Sequence, residues 1–278
     1  MNYLKVKDHS VSQEDFELHY DSKYDLLKTV PIPENLERYY QSQDYISHTD
    51  SKRSLFEKLY HWVKQYTLSQ KERLIFSYLK TRGNLLDIGA GTGDFLAFAK
   101  MKKWEVLGIE PSSKAKELAR KKGIPFIENI QDLSDNSFDV ITMWHVLEHV
   151  ENLEDQITEL KRICKPQGFI IIAVPNYKSF DATHYKEFWA AYDVPRHLWH
   201  FSKNAIKNLF SEKEMTLQKI HPMYFDSFYV SLLSEKYKTG NMNYIRAFYI
   251  GLLSNLKGIF SKEFSSHIYV FKNHKKSI

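Results

Sequence analysis

The spacing of apolar positions changes three times along this chain, and each change predicts a different kind of element. Short β-like runs occupy 3–6, 16–20 and 24–30, and Pro31-Ile32-Pro33 stops any regular element after them. Residues 1–50 therefore read as a small N-terminal β-rich sub-domain of hairpins. The period then becomes helical. Leu55, Leu59, Trp62, Val63 and Tyr66 share one face, and Leu74, Ile75, Tyr78 and Leu79 repeat the pattern. Residues 51–80 read as a helical lead-in, ended by Arg82-Gly83-Asn84.

From residue 84 onward, strand-length apolar runs alternate with helical patterns. The runs fall at 85–88, 106–109, 125–127, 138–143 and 169–174. The helix at 112–122 starts at Pro111-Ser112-Ser113 and stops at Gly123, and another at 157–164 ends before Pro166-Gln167-Gly168. Such alternation predicts an α/β fold, a mostly parallel Rossmann-like sheet with helices on both faces. Ligands then bind beyond the C-terminal ends of the strands. We place this main domain at 81–278.

Two insertions are expected in it. The segment 177–200 is irregular and aromatic, with Tyr177, Phe180, Tyr185, Trp189 and Tyr192, and is a candidate lid. Ser202 follows as a helix N-cap, and 217–221 and 268–272 read as late strands. Between those strands, an insertion at 223–264 suggests two apolar-faced helices joined near Gly240. These can cap a site, form a homodimer interface or touch a membrane. Intramolecular packing or dimerisation is the expectation, because Arg246 and Lys257 interrupt the short apolar runs. The tyrosine-rich stretch 39–48 either covers a ligand or anchors a linker.

Candidate chemistry centres on Leu85-Leu86-Asp87-Ile88-Gly89-Ala90-Gly91-Thr92-Gly93-Asp94-Phe95-Leu96, a strand, a glycine turn and a helix start. A dinucleotide-binding loop reads G-x-G-x-x-G and holds a pyrophosphate at the helix N-terminus. Here the third glycine comes one place early and Asp94 follows it, which repels a pyrophosphate. Asp87 and Asp94 instead suit a ligand that carries positive charge. Glu110 closes the second strand, where a carboxylate takes ribose hydroxyls. Ribose plus cationic groups describes S-adenosylmethionine.

The chain resembles the class I S-adenosylmethionine-dependent methyltransferases. The stretch 85–96 looks like their first motif, Val106-Leu107-Gly108-Ile109-Glu110-Pro111 like their second. Ser137-Phe138-Asp139-Val140-Ile141 followed by Leu147-Glu148-His149-Val150 looks like their fourth strand and the helix after it. Lys165-Pro166-Gln167-Gly168 looks like the turn into their fifth. The resemblance implies seven strands, the last antiparallel. It implies that Asp87, Gly89 and Gly91 line the methionine moiety and that Glu110 holds the ribose. Ile130 and Gln131 would flank adenine, and Trp144 would close over the cofactor. Core packing is the plainer alternative for Ile130 and Trp144.

His145-Val146-Leu147-Glu148-His149 sets residues i, i+3 and i+4 on one helical face. The string also matches the H-x-x-E-H of inverted zinc peptidases, but its place after a fourth strand argues against that context. It is more similar to the E-x-x-E-H of ubiquinone-pathway O-methyltransferases and of small-RNA 2′-O-methyltransferases, which implies a divalent metal ion. Glu148 and His149 match the last two positions, while His145 stands where the first Glu would be. His197, in Arg196-His197-Leu198-Trp199-His200, falls at the place of a further His of the RNA enzymes. The cluster thus has three readings: metal ligands Glu148, His149 and His197; a metal-free general base at His149 or His145; or a structural latch. Arg196 either pairs with an acceptor's carboxylate or phosphate or ties the lid to Glu148.

Composition narrows the partners. Among 278 residues, Lys and Arg number 39 against 34 Asp and Glu, a dispersed balance that argues against RNA, while the aromatic lid at 177–200 favours a flat or apolar small-molecule acceptor. Lys272, Lys275 and Lys276 read as a solvated end, and the single Cys164 as core. No run reaches the roughly 20 apolar residues of a membrane helix, and no signal-peptide core is present, so a cytoplasmic protein is expected. The function expected is methyl transfer from S-adenosylmethionine, at oxygen, with His145, Glu148 and His149 as catalytic candidates. A non-catalytic cofactor- or partner-binding module, an RNA-end 2′-O-methyltransferase and a hydride-transfer dehydrogenase are the alternatives.

Overall fold

A computed structural model describes residues 1–40 and 55–274, with side chains in the second stretch from residue 63 onward. Residues 41–48 of the tyrosine-rich stretch, the side chains of Leu55, Leu59 and Trp62, and Lys275 and Lys276 lie outside the described residues. In chain order the elements are β1 (Asn2–Lys7), β2 (Asp15–Asp21), β3 (Leu26–Val30), α1 (Leu55–Leu79), β4 (Asn84–Ile88) and α2 (Asp94–Met101). Then come β5 (Glu105–Ile109), α3 (Ser113–Lys121), β6 (Phe138–Trp144), α4 (Leu153–Ile163), β7 (Cys164–Pro175) and α5 (Phe180–Tyr185). The chain continues through β8 (Trp199–Phe201), α6 (Lys203–Ser211), β9 (Met215–Pro222), α7 (Asp226–Thr239), α8 (Tyr244–Ser261) and β10 (Ser266–Asn273).

The main sheet runs β5-β4-β6-β7-β10-β9. The pairs among β5, β4, β6 and β7 are parallel, and β10 is antiparallel to both of its neighbours. The central strands are apolar on both faces because both faces are covered. Ile170 and Ile172 face a core completed by α4 and α6, while Ile171 faces one completed by α1, α2 and α3. Ser112 and Ser202 cap α3 and α6 through their hydroxyls, as their positions predict. The expected strand at 125–127 is reduced to a single parallel bridge from Phe126 to Gly108. Pro125 has no N–H to extend the ladder, so among the described residues the sheet has six full strands, with one bridging residue at its β5 edge.

A second, antiparallel sheet has the order β1-β2-β3-β8. Its fourth strand comes from the end of the aromatic segment, so residues 1–40 are stitched into the main domain. The lid reading of 177–200 gives way to a core. Tyr177, Tyr185, Trp189 and Tyr192 are buried against Val6, Phe16, Leu18 and Leu27 of the small sheet. Long aromatic side chains supply the apolar area that three short strands cannot bury alone. The helices α7 and α8 pack on each other, yet α8 turns its large side chains outward: Ile245 and Phe260 are each 86% exposed. Expected inward packing of these residues is absent.

Candidate active site

Asp87 ends β4, buried, and its Oδ1 accepts a 2.6 Å hydrogen bond from the Thr142 hydroxyl on the neighbouring strand β6. The turn that follows needs left-handed backbone at Gly89 (φ 72°) and Gly91 (φ 54°). A Cβ at Gly89 would strike Val146 at 2.3 Å, whereas one at Gly91 would meet nothing within 4 Å. Gly91 therefore opens onto free space. Glu110 closes the loop: its two oxygens accept the backbone N–H of Gly91 (2.8 Å) and of Ser112 (2.9 Å). Each oxygen keeps a second lone pair for a ligand hydroxyl. Asp94, in contrast, is neutralised by Lys64 and Lys122 at 2.7 Å each and caps the turn with Thr92.

Lys71 of α1 is a member of this crevice that no motif marks. Its ammonium stands 4.2 Å over the Trp144 ring. Burial pulls the Lys71 pKa down to about 8, against the attraction of Asp87 and Asp226. Burial likewise raises the Asp87 carboxyl to about 7, against the Thr142 hydrogen bond and the Lys71 charge. The only local sign of Lys71 is a cation amid the apolar face of a helix, which lysines on any amphipathic helix share. Trp144 packs edge-on to Phe95 and its indole Nε1 has no partner. Ile130 is buried in the core beside Leu107 and Ile109, and Gln131 next to it is exposed.

The second half of the site lies just past β6. His145 is held in the left-handed region (φ 58°), an uncommon conformation for a branched ring side chain and one that clusters at functional sites. Its ring bridges two acids, Nε2 at 3.0 Å from Asp226 and Nδ1 at 3.4 Å from Glu148. Burial opposes the charge, but the two carboxylates outweigh it and raise the His145 pKa to about 10. Burial would raise the Glu148 carboxyl too, yet His145 and the neighbouring histidines hold it below the ordinary range. Asp87, Lys71, Asp226, His145 and Glu148 thus form a run of alternating charge between the glycine loop and the histidine cluster.

Glu148, His149 and His197 are brought together, with one ligand atom of each within 4.8 Å of the others. His149 Nδ1 donates to the Arg196 carbonyl (2.9 Å), and His197 Nδ1 donates to the Ala191 carbonyl (2.9 Å). A carbonyl only accepts, so both rings carry their proton on Nδ1 and leave the Nε2 lone pair available. Burial, with help from His149, lowers the His197 pKa to about 4, so that ring is neutral at pH 7. Glu148 is 1% exposed and neither of its oxygens has a hydrogen bond. Arg196 does not reach Glu148. Its guanidinium is buried between Asp193, Asp8 (3.2 Å) and the Tyr39 carbonyl (2.9 Å).

Residues 59–219 match the family described as methyltransferase domain. An uncharacterized methyltransferase of Schizosaccharomyces pombe is 32% identical over 114 residues, 34% of this chain and 41% of that protein. A ubiquinone biosynthesis O-methyltransferase of Alkalilimnicola ehrlichii is 28% identical over 102 residues, 33% of this chain and 41% of that protein. The chain spans about two fifths of the length of these curated relatives. In fold it is similar to the crystal structure of a SAM-dependent methyltransferase from Archaeoglobus fulgidus, with a TM-score of 0.53, 17% identity, and 78% and 98% of the two chains covered. The match runs from α1 into β9 and so takes in the glycine loop, Glu110 and the histidine cluster alike: the chain belongs to the methyltransferase domain family and carries the class I S-adenosylmethionine-dependent fold.

Proposed function

We propose that this S-adenosylmethionine-dependent methyltransferase modifies a hydroxyl of a flat small-molecule acceptor, with a divalent metal ion held by Glu148, His149 and His197. The observation that carries this reading is the Glu148 carboxylate, buried without a hydrogen bond beside two imidazoles whose Nδ1–H groups are already committed. The His145 charge meets one side of it at 3.4 Å without a hydrogen bond, and a divalent ion on the side of the two imidazoles would supply the bonds that its oxygens lack. One carboxylate and two imidazoles suit a first-row divalent ion, and an ionised Glu148 with a neutral His197 is the protonation state that ligation requires. The carbonyls of Arg196 and Ala191 fix the ring orientations, as the outer partners of metal-bound histidines do. Bound there, such an ion lowers the pKa of an acceptor hydroxyl.

S-adenosylmethionine supplies an electrophilic methyl on its sulfonium. Asp87 takes the ammonium of its methionine moiety, Lys71 the carboxylate and Glu110 the ribose hydroxyls. Ile130 and Gln131 flank adenine, and Trp144 covers the crevice. His145, charged between Asp226 and Glu148, has no lone pair for a substrate proton at neutral pH, so we assign it a positioning role. The protein's contribution is then to hold the two reactants in near-attack geometry and to keep water out. Likeness to a ubiquinone biosynthesis O-methyltransferase supports an oxygen acceptor.

Calorimetric titration of Mg²⁺, Mn²⁺ and Zn²⁺, each in turn, into the protein and into Glu148→Gln tests the reading. It is paired with labelled methyl transfer into catechol-type acceptors, with and without a chelator. Binding of at least one ion that Glu148→Gln loses, with transfer that stops on chelation, supports it. Chelator-insensitive transfer removes the metal and leaves His149 as the base.

A further inference from the structure

We propose that α8 is a membrane-surface helix, docking the protein on a bilayer that carries anionic lipids. A surface helix of a globular protein buries its large apolar residues. Of the large apolar residues of this helix only Ile250 is buried. Beside it Ala247, Gly251, Ser254 and Gly258 are buried, and Ile245, Phe248, Tyr249, Leu252, Ile259 and Phe260 are exposed. The reason lies in α7, which turns Ser227 and the Glu235 carboxylate toward it while Ser234 faces the backbone of Ala190. Small and polar residues meet across the pair, with Ser227 donating to the Gly251 carbonyl (3.1 Å) and Asn255 to the Tyr224 carbonyl (2.9 Å). That packing leaves the bulky side chains on the outer face. Exposed tyrosines at 224, 244 and 249 and Phe225 at the start of the pair extend the face.

The patch is far larger than singly scattered surface apolar residues, so it has an occupant. Charge selects which. Tyr244–Ser261 holds no Asp or Glu, while Arg246 and Lys257 lie within it and Lys262 follows. In α7 the two acids are turned inward, Asp226 to His145 (3.0 Å) and Glu235, fully buried, to Arg246 (3.2 Å). Arg246 is already answered by Glu235, but a second copy in a two-fold interface would set Lys257 and Lys262 against their own images with no acid on α8 to meet them. An anionic bilayer complements both the apolar face and the cations, the composition of an interfacial helix. Among the described residues no helix is long and apolar enough to cross a membrane, so α8 lies in the interface plane. Tyrosines suit that depth, with the ring in the apolar layer and the hydroxyl in the headgroups. Asp226, at the start of α7, ties the helix pair to His145 of the candidate site (3.0 Å).

The test is co-sedimentation of the full chain with vesicles of phosphatidylcholine alone or mixed with phosphatidylglycerol, alongside light scattering in solution. We expect binding to the mixed vesicles that is about tenfold weaker on phosphatidylcholine and at high salt. The double variant Ile245→Ser/Phe260→Ser should lose it, with an unchanged melting temperature because both side chains are 86% exposed. Failure to bind mixed vesicles, or binding that the double variant keeps, overturns the proposal. So does a dimer that the double variant dissociates, without vesicle binding. None of these readouts depends on methyl transfer or on a metal.

Discussion

The Nδ1 of His149 lies 2.9 Å from the backbone carbonyl oxygen of Arg196, whose guanidinium is in turn clamped by Asp8 of the small N-terminal sheet. His149 is thus aimed by the backbone of a residue whose side chain is held from the N-terminal sub-domain. Asp8 is itself held by the backbone N–H of Ser10, Val11 and Ser12 at 2.8–3.2 Å. The N-terminal sub-domain, whose role the chain's motifs leave open, reaches the candidate active site through this buried ion pair, through Thr29, which donates to the His197 carbonyl (2.6 Å), and through Tyr40, whose hydroxyl lies 3.1 Å from His149 Nδ1.

Replacing Arg196 by Met would leave the buried Asp8 with its backbone N–H partners but no cation, and the part-buried Asp193 without its guanidinium. We expect a loss of about 3–5 kcal/mol in urea unfolding at pH 7. The acid side has a definite sign. Burial raises both carboxyls, but the Arg196 charge and hydrogen bonds hold Asp8 and Asp193 below the ordinary carboxylate range. Their contribution is present above the unfolded-state value and is lost as pH falls through the lower folded values. Arg196→Met should flatten that acid limb and weaken metal binding by about 10–100-fold, the usual effect of disturbing an outer partner.

Asp87 predicts the opposite slope. Its folded pKa is raised to about 7 from an ordinary 3.8. A raised carboxyl favours the fold while protonated, so its contribution is full below the ordinary value and disappears as pH rises through about 7. The ligand-free protein should therefore lose stability between about pH 4 and 7 through this group, and Asp87→Asn should flatten that slope. Cofactor affinity should run the other way, rising across the same range as the carboxylate forms, with protons released on binding. Calorimetry in two buffers of different ionisation enthalpy measures both.

The two glycines separate folding from binding. Gly89→Ala meets a positive φ and a clash with Val146, and should cost about 2–4 kcal/mol of stability. Gly91→Ala meets the backbone penalty alone, about 1 kcal/mol, yet sets a methyl group in the open space that we assign to the cofactor. Its melting temperature should fall by a few degrees while S-adenosylhomocysteine affinity falls at least tenfold. Equal losses of affinity and stability would place the cofactor elsewhere.

What was legible in the chain follows from how local each signal is. Strand, glycine turn and helix at 85–96 leave their mark in adjacent residues, because an acid must end the strand and glycine must adopt positive φ. Glu148 and His149 are neighbours, so their pairing shows at once, whereas His197 came only with the resemblance. Lys71, Asp226 and the Asp8–Arg196 pair carry no local signal, since each works across a long sequence separation. Aromatic density at 177–200 reads equally as lid or core, and only the short strands beside it decide for core. The apolar content of α8 was visible, but which face it takes depended on Ser227 and Glu235 of α7.

The central claim is that Glu148, His149 and His197 hold a divalent ion beside the S-adenosylmethionine crevice. Anomalous diffraction from crystals grown with Mn²⁺ and S-adenosylhomocysteine tests it most directly. The account predicts one anomalous peak in coordination distance of the Glu148 carboxylate and of the Nε2 atoms of His149 and His197, with the ligand in the loop between Asp87 and Glu110. Clear density for the cofactor product together with no peak among those three side chains would contradict it.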